Sequence, residues 1–521
     1  MRAHRRAAGL LGAASWLAFA GTAQAAPDPR DAEIADLKAQ VQALMARVET
    51  LEARNAAAPP AAPPVTQIPA NQAPPAARAA IAGGRPSITS ADGRFAANLH
   101  AVMQFDAAEY SQKTPGPLDV DFRRGAAPTD TAHARDLSSG ATVRRARLGV
   151  DGKLFGDFEY NLLFEFGGTG TEDAAHIQEI WLQYSGLRPL HFRIGAYPPS
   201  IGLADQGSTS GSPFLERAAI ADMARSVAGG DFRHAAEIWA AGERWYVAGA
   251  VTGRLVGVAT SQGSGVSQPF DSQLGLVGRF AFLPLKTDDY LAHLGVHGSY
   301  VLRPADSGGP DVAASTARYP VTFQERPELR VDGTRLISTG AINADHASTL
   351  GFEAAFQYRN AFIQGEYERM TIDRRNAPIG VSDPHFDGFY VEGSYVLTGE
   401  ARRYNPNTFA FDAPSVDHPF SLHDGTWGAL EVALRYSDAD LNYRAGAFGT
   451  APTAEAVRGG DQRIWAGAVS WYPNGATRFV LQYQDVKVDR LSPNAVTFQT
   501  PVGAQIGQRY HAIALRSQFA F

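Results

Sequence analysis

From Ser87 to Phe521 the sequence keeps a period of two across sixteen separate segments. In FEYNLLFEF, Phe158, Tyr160, Leu162, Phe164 and Phe166 alternate with Glu159, Asn161, Leu163 and Glu165. In TRFVLQYQDV, Phe479, Leu481 and Tyr483 alternate with Arg478, Val480, Gln482 and Gln484. Successive side chains of a strand point to opposite faces, so each segment predicts a strand with one apolar face and one that tolerates charge. The predicted strands lie near 95–110, 142–154, 157–167, 176–185, 189–197, 234–242, 245–253, 272–283, 290–303, 348–359, 361–373, 386–397, 427–437, 462–472, 477–488 and 508–521. Many run about ten residues or more, roughly twice a usual globular strand. A soluble sandwich buries one face against a second sheet; these strands instead carry Glu and Arg deep within their length.

The connections alternate. Short ones fall at Phe155-Gly156, near Arg359-Asn360 and at Pro473–Ala476. Long ones fall at 111–141, 168–175, 198–233, 254–271, 304–347, 374–385, 438–461 and 489–507, and 398–426 is long where a short turn is due. Short turns at one end and long loops at the other mark an outer-membrane barrel. In lipid every backbone group must be paired internally, so a sheet spans only if it closes. The predicted fold is therefore all-β, a sixteen-stranded antiparallel transmembrane β-barrel over 87–521. At that strand number the interior is an aqueous channel. The composition agrees: mean hydropathy is −0.20 because half of each strand can be polar. No Cys is present, which rules out disulfides and thiolate metal sites. The net charge of −6 gives no basis for nucleic-acid binding.

Residues 1–25 read as a cleaved signal peptide. Arg2, Arg5 and Arg6 precede the apolar AAGLLGAASWLAFAG, and Ala23-Gln24-Ala25 forms the cleavage site. Residues 26–55 predict a periplasmic coiled-coil helix. Ile34, Leu37, Val41, Leu44, Val48 and Leu51 are spaced 3, 4, 3, 4, 3, with β-branched residues at a and Leu at d, a pattern that favours two strands. Residues 56–86 form a Pro/Ala-rich linker. The even strand count places both barrel ends beside the short turns, in the periplasm.

The third long connection, Pro198–Asp231, contains the helix-like PFLERAAIADMAR and predicts a segment folded into the pore. Strand parity turns Arg145 and Arg147 of TVRRARLGV inward, with Arg144 outward; Arg193 and Arg435 also face inward, and the folded loop adds Arg217 and Arg225. Arg binds oxyanions bidentately and stays charged, and a low-dielectric wall focuses its field. Glu159, Glu165, Glu353 and Glu431 also point inward, so lumenal ion pairs compete with substrate contacts. No catalytic or metal site is expected, and no cofactor. His293 and His297 share a strand face roughly 13 Å apart, GSTSG centres on Thr209, and GTGTED lacks a phosphate-loop context.

VRRARLGVDGKLFGDFEYNLLFEFG, HFRIGAYPPSIGL, SPFLERA, GLVGRFAF, YVEGSYVLTGEARRY, WGALEVALRYSDADLN, AVSWYPNGATRFVLQYQDV and the closing SQFAF occur in this order. In these the chain resembles the phosphate-selective porin O/P family over nearly all of 87–521. The resemblance implies a homotrimer of sixteen-stranded barrels, each narrowed by its third loop, with inorganic anions as permeants. The family's paired Arg matches Arg144 and Arg145, its third-loop Arg matches Arg217, and Arg326 and Arg330 match a basic vestibule. It also accommodates the long 398–426 segment. Asp205 stands where phosphate-specific members carry Lys, an acid that opposes phosphate. The trimer is preferred to the two-stranded heptad rule because a barrel interface far exceeds three heptads.

The expected function is a passive outer-membrane porin with anion preference, phosphate or polyphosphate first, and no enzymatic activity. The alternatives are a general small-solute porin, or a tether between the outer membrane and the cell wall whose linker spans up to roughly 90 Å and whose coiled coil touches peptidoglycan. Expected partners are outer-membrane lipid, permeant anions and two further copies, with no nucleic acid.

Overall fold

The computed structural model describes residues 38–50, 77–82, 84–112, 137–168, 176–230, 232–255, 273–306, 318–492 and 503–521, in two units, 1–74 and 75–521. In the first unit residues 38–50 form a helix whose every residue is exposed, including Val41, Leu44 and Val48 of the heptad seam. The signal peptide and the rest of the seam lie outside the described residues.

The second unit is built on sixteen long strands. They are β1 (Ala96–Gln112), β2 (Gly140–Leu154), β3 (Phe158–Glu165), β4 (His176–Leu187), β5 (Leu190–Tyr197), β6 (Arg233–Ala241), β7 (Trp245–Leu255) and β8 (Leu274–Lys286), then β9 (Tyr290–Arg303), β10 (Ile342–Tyr358), β11 (Ala361–Arg374), β12 (His385–Val396), β13 (Ala429–Tyr443), β14 (Val457–Tyr472), β15 (Thr477–Asp489) and β16 (Arg509–Ala520). Each pairs antiparallel with the next, and β16 pairs with β1 from Tyr510↔Gln112 to Ala520↔Val102. The sheet is thus a closed sixteen-stranded barrel, as the alternation predicts.

The two faces separate by register. On β16, Ile513, Leu515 and Phe519 are 56%, 48% and 43% exposed, whereas Ala512, Ala514 and Arg516 are at 1%. An outward apolar band with a buried inward Arg inverts a soluble domain, and suits a wall with lipid outside. Arg85–Thr89 extends the wall, pairing with β1 at Ser87↔Asn98 and with Arg78–Ala82 on its other side. Part of the stretch read as linker is therefore strand.

Three segments fold into the lumen. The first, 198–230, carries the helix Ala219–Ala228, whose Ile220, Met223 and Ala224 are at most 2% exposed. The second is the described end of the fifth long loop, 318–341. Its Phe323 and Leu329 share an apolar cluster with Ile220, Met223 and wall residues Ile372 and Phe386. The third is 402–414, within the long connection 397–428 found where a short turn was due. Its hairpin Arg402–Asn405/Ala410–Pro414 is held inside by Arg279, which donates to the Thr408 and Phe409 carbonyls at 2.6 and 2.8 Å. Phe411 packs on Phe362 of β11 with ring centroids 4.6 Å apart. The apolar residues of these segments find their core on the inner wall, which explains why so polar a lumen contains buried hydrophobic clusters.

Candidate pore constriction

At the waist, one carboxylate of the first inward segment gathers four guanidinium groups. Glu216 accepts from Arg144 Nε and Nη2 at 2.8 and 3.1 Å and from Arg516 Nη2 at 2.8 Å. Arg145 Nη2 and Arg330 Nε lie 3.6 and 3.7 Å from its other oxygen. Arg516 is also matched by Asp106 of β1 at 2.6–2.7 Å, and Arg330 by Asp222 at 2.6 Å.

Arg144 corrects the parity argument. It is 6% exposed and turned inward beside Arg145, at 4%. The β1–β2 register runs Gln104↔Arg145 and then Phe105↔Val143, which leaves Arg144 as the extra residue of a β-bulge. A bulge breaks the period of two, so two successive arginines reach the lumen. A double Arg in a strand is the one sequence signal that could have flagged it.

The other predicted arginines separate into groups. Arg217 and Arg225 staple the constriction segment to itself. Arg217 donates to the Ala204 carbonyl at 2.8 Å and lies 3.7 Å from Asp205, and Arg225 pairs with Asp205 and, at 3.7 Å, with Asp222. Asp205 is therefore neutralised by two guanidiniums rather than presented to the channel. Arg330 of the fifth loop joins the waist, whereas Arg326 turns back on its own loop, donating to the Gly333 carbonyl at 3.1 Å. Arg147 pairs with Glu165 at 2.6 Å. Arg193 bonds Gln183 at 2.9 Å, lies 3.8 Å from Glu237 and stacks over Trp181; it touches none of the groups around Glu216. Arg435, on β13, meets Glu328 at 2.5 Å and Glu392 at 3.4 Å. Glu328 in turn accepts the Ala219 N–H at the start of the segment's helix, at 3.0 Å, where a carboxylate complements the helix dipole.

Beside this cluster is a cavity of about 30 Å³, large enough to hold water, lined by Arg217, Arg402, Arg435, Glu392, Gln364 and Tyr390 among others. A larger hollow of about 480 Å³ opens at the barrel end near Phe521 and is lined by Arg85, Arg403 and Arg478 with Asp412. This basic vestibule and the cavity at the waist share Ser208 in their linings.

Burial would push the Glu216 carboxyl up, but Arg144, Arg145, Arg516 and Arg330 outweigh it and hold it well below the usual value of 4.5. Asp222 is lowered in the same way, burial opposing and Arg330, Arg225 and Arg217 prevailing. A carboxylate lowered in the folded state stabilises it above the unfolded value, and that contribution disappears as pH falls through the folded one. The ion pairs of Glu216 and Asp222 are therefore expected to keep their full stabilising contribution from pH 7 down to about 4.5 and to lose it only below that. Thermal unfolding midpoints of the wild type and Glu216→Gln across that range check this; a difference that already shrinks between pH 7 and 5 would contradict it.

A family model described as phosphate-selective porin O and P matches residues 116–521. An uncharacterized protein of Caulobacter vibrioides is 27% identical over 460 residues, covering 87% of this chain and 83% of that one. Porin O of Pseudomonas aeruginosa is 25% identical over 413 residues, covering 74% and 85%. Among solved structures, an anion-selective porin from Comamonas acidovorans aligns at 11% identity and TM-score 0.42, over 82% of this chain and all of that one. The family match spans most of the chain and all of β2–β16, and on it the protein belongs to the phosphate-selective porin O and P family of outer-membrane porins.

Proposed function

We propose that the protein is a passive, water-filled anion channel with inorganic phosphate as its leading permeant. The observation that carries this is the convergence of Arg144, Arg145, Arg330 and Arg516 on the single carboxylate of Glu216. Glu216 occupies the position of an oxyanion held in a guanidinium cage, the arrangement that planar forks form with phosphate. A permeating anion competes with this tethered carboxylate, passes the waist and enters the basic vestibule. Attraction raises its local concentration, and the gradient drives it through without chemistry. Pairing of Asp205 with Arg217 and Arg225 removes the repulsion expected of an acid there.

In this reading the mature chain lacks residues 1–25, and residues 26–86 lie in the periplasm. Three copies assemble side by side in outer-membrane lipid. The exposed Val41, Leu44 and Val48 are an apolar stripe that helices of neighbouring copies could cover, and this stalk reaches toward peptidoglycan.

Single-channel recording on the purified protein tests the reading. Reversal potentials in chloride are expected to show anion preference, and phosphate to inhibit the chloride current. Cation preference, or a chloride current indifferent to phosphate, would overturn it.

A further inference from the structure

A second buried cluster, of opposite charge, lies on the wall formed by β9, β10 and β11. One donor atom each from His297, Glu353 and Glu366 lies within 4.8 Å of the other two. His297 Nε2 is also 2.6 Å from Glu368 Oε1. All four side chains are at most 3% exposed. Counted as ordinarily ionised, three carboxylates face one guanidinium, Arg279, which binds both oxygens of Glu353 at 2.8 and 3.2 Å. Buried charge of one sign needs a partner.

One observation points to a ligand rather than to a closed network. Glu368 Oε2 is buried without a hydrogen-bond partner, as is His297 Nδ1. Glycines, moreover, let the ligating atoms lie close against the backbone. A Cβ on Gly351 would stand 2.2 Å from His297 Nε2 and 2.5 Å from Glu368 Oε2, and one on Gly202 would stand 2.8 Å from Glu366 Oε1 and 3.5 Å from His297 Nε2. Any side chain at Gly351 would therefore displace His297 Nε2 and Glu368 Oε2 from each other's neighbourhood.

We propose that this cluster is a binding site for one divalent first-row transition-metal ion, with His297, Glu353, Glu366 and Glu368 as ligands. One imidazole with carboxylates suits Zn²⁺ or Mn²⁺. At ligand distances of about 2.0–2.2 Å the donors must close by roughly an ångström around the ion. Binding displaces the proton shared by His297 Nε2 and Glu368 to solvent. Glu366 also accepts the Leu203 and Ala204 N–H groups at 2.5 and 3.0 Å, so the ion would tie the constriction segment to β11. His293 takes no part as a chelating partner of His297; its Nδ1 bonds the Tyr404 hydroxyl at 2.9 Å.

The test is Zn²⁺ and Mn²⁺ titration of the EDTA-treated, detergent-purified full chain, read by equilibrium dialysis and elemental analysis. One ion per chain is expected. His297→Ala and Glu368→Gln should each weaken binding at least tenfold, with folding of each variant checked by heat-modifiable migration. His176→Ala, a lumenal histidine outside the cluster, should leave it unchanged. The absence of saturable binding to the wild-type chain, or binding unaltered in either cluster variant, would overturn the assignment.

Discussion

Replacing Arg144 and Arg145 together by Gln is expected to remove most of the anion preference. Both lie on β2 and reach Glu216, Arg144 through two hydrogen bonds and Arg145 at 3.6 Å. Each charge acts on an ion about 5–6 Å away with roughly 3 kcal/mol at an effective dielectric of 20, and salt reduces this. Even a fraction of it shifts the permeability ratio by about tenfold, and the phosphate concentration needed to block chloride should rise by at least as much. Arg193→Gln is the control, because Arg193 bonds Gln183 and lies near Glu237 rather than Glu216. Equal losses in the two variants would mean that lumenal charge in general, and not this cage, sets selectivity.

Glu216→Gln is expected to act in the opposite direction. The four guanidiniums lose the carboxylate they share, and a free oxyanion takes its place. Phosphate should then inhibit chloride current at a concentration at least tenfold lower than in the wild type. Removing one partner of a buried ion pair costs about 3–5 kcal/mol, so the variant should unfold at a lower temperature in chloride. A ligand that binds only the folded state restores stability by mass action, so phosphate should recover part of that loss. An unchanged inhibition constant would show that Glu216 does not stand where the anion binds.

The barrel was legible in the sequence because its determinant is local. A period of two held through long strands, together with alternating short and long connections, yields the strand number without knowledge of any contact. The inward fold of 198–230 was legible too, because an apolar helix such as PFLERAAIADMAR needs a surface to pack on. Within the site, Arg145, Arg217 and Arg225 could be placed in the lumen by parity and loop position. Arg144 could not, since a bulge is decided by pairing with β1. Nor could the roles of Arg330 and Arg326 be told apart: both sit in FQERPELR, yet one reaches Asp222 and the other the Gly333 carbonyl of its own loop.

By itself the sequence determined the wall, its sixteen strands and, away from bulges, the face each side chain takes, because alternation and backbone pairing in lipid leave one solution. Only the tertiary structure decided which charges meet. Glu216 and Arg516 are 300 residues apart in the chain, and His297 and Glu368 come together only because β9, β10 and β11 are neighbours in register. Closing a sheet brings distant strands and inward loops to one axis. The electrostatics of the waist, and with it the choice of ion, follow from that convergence and not from any local pattern.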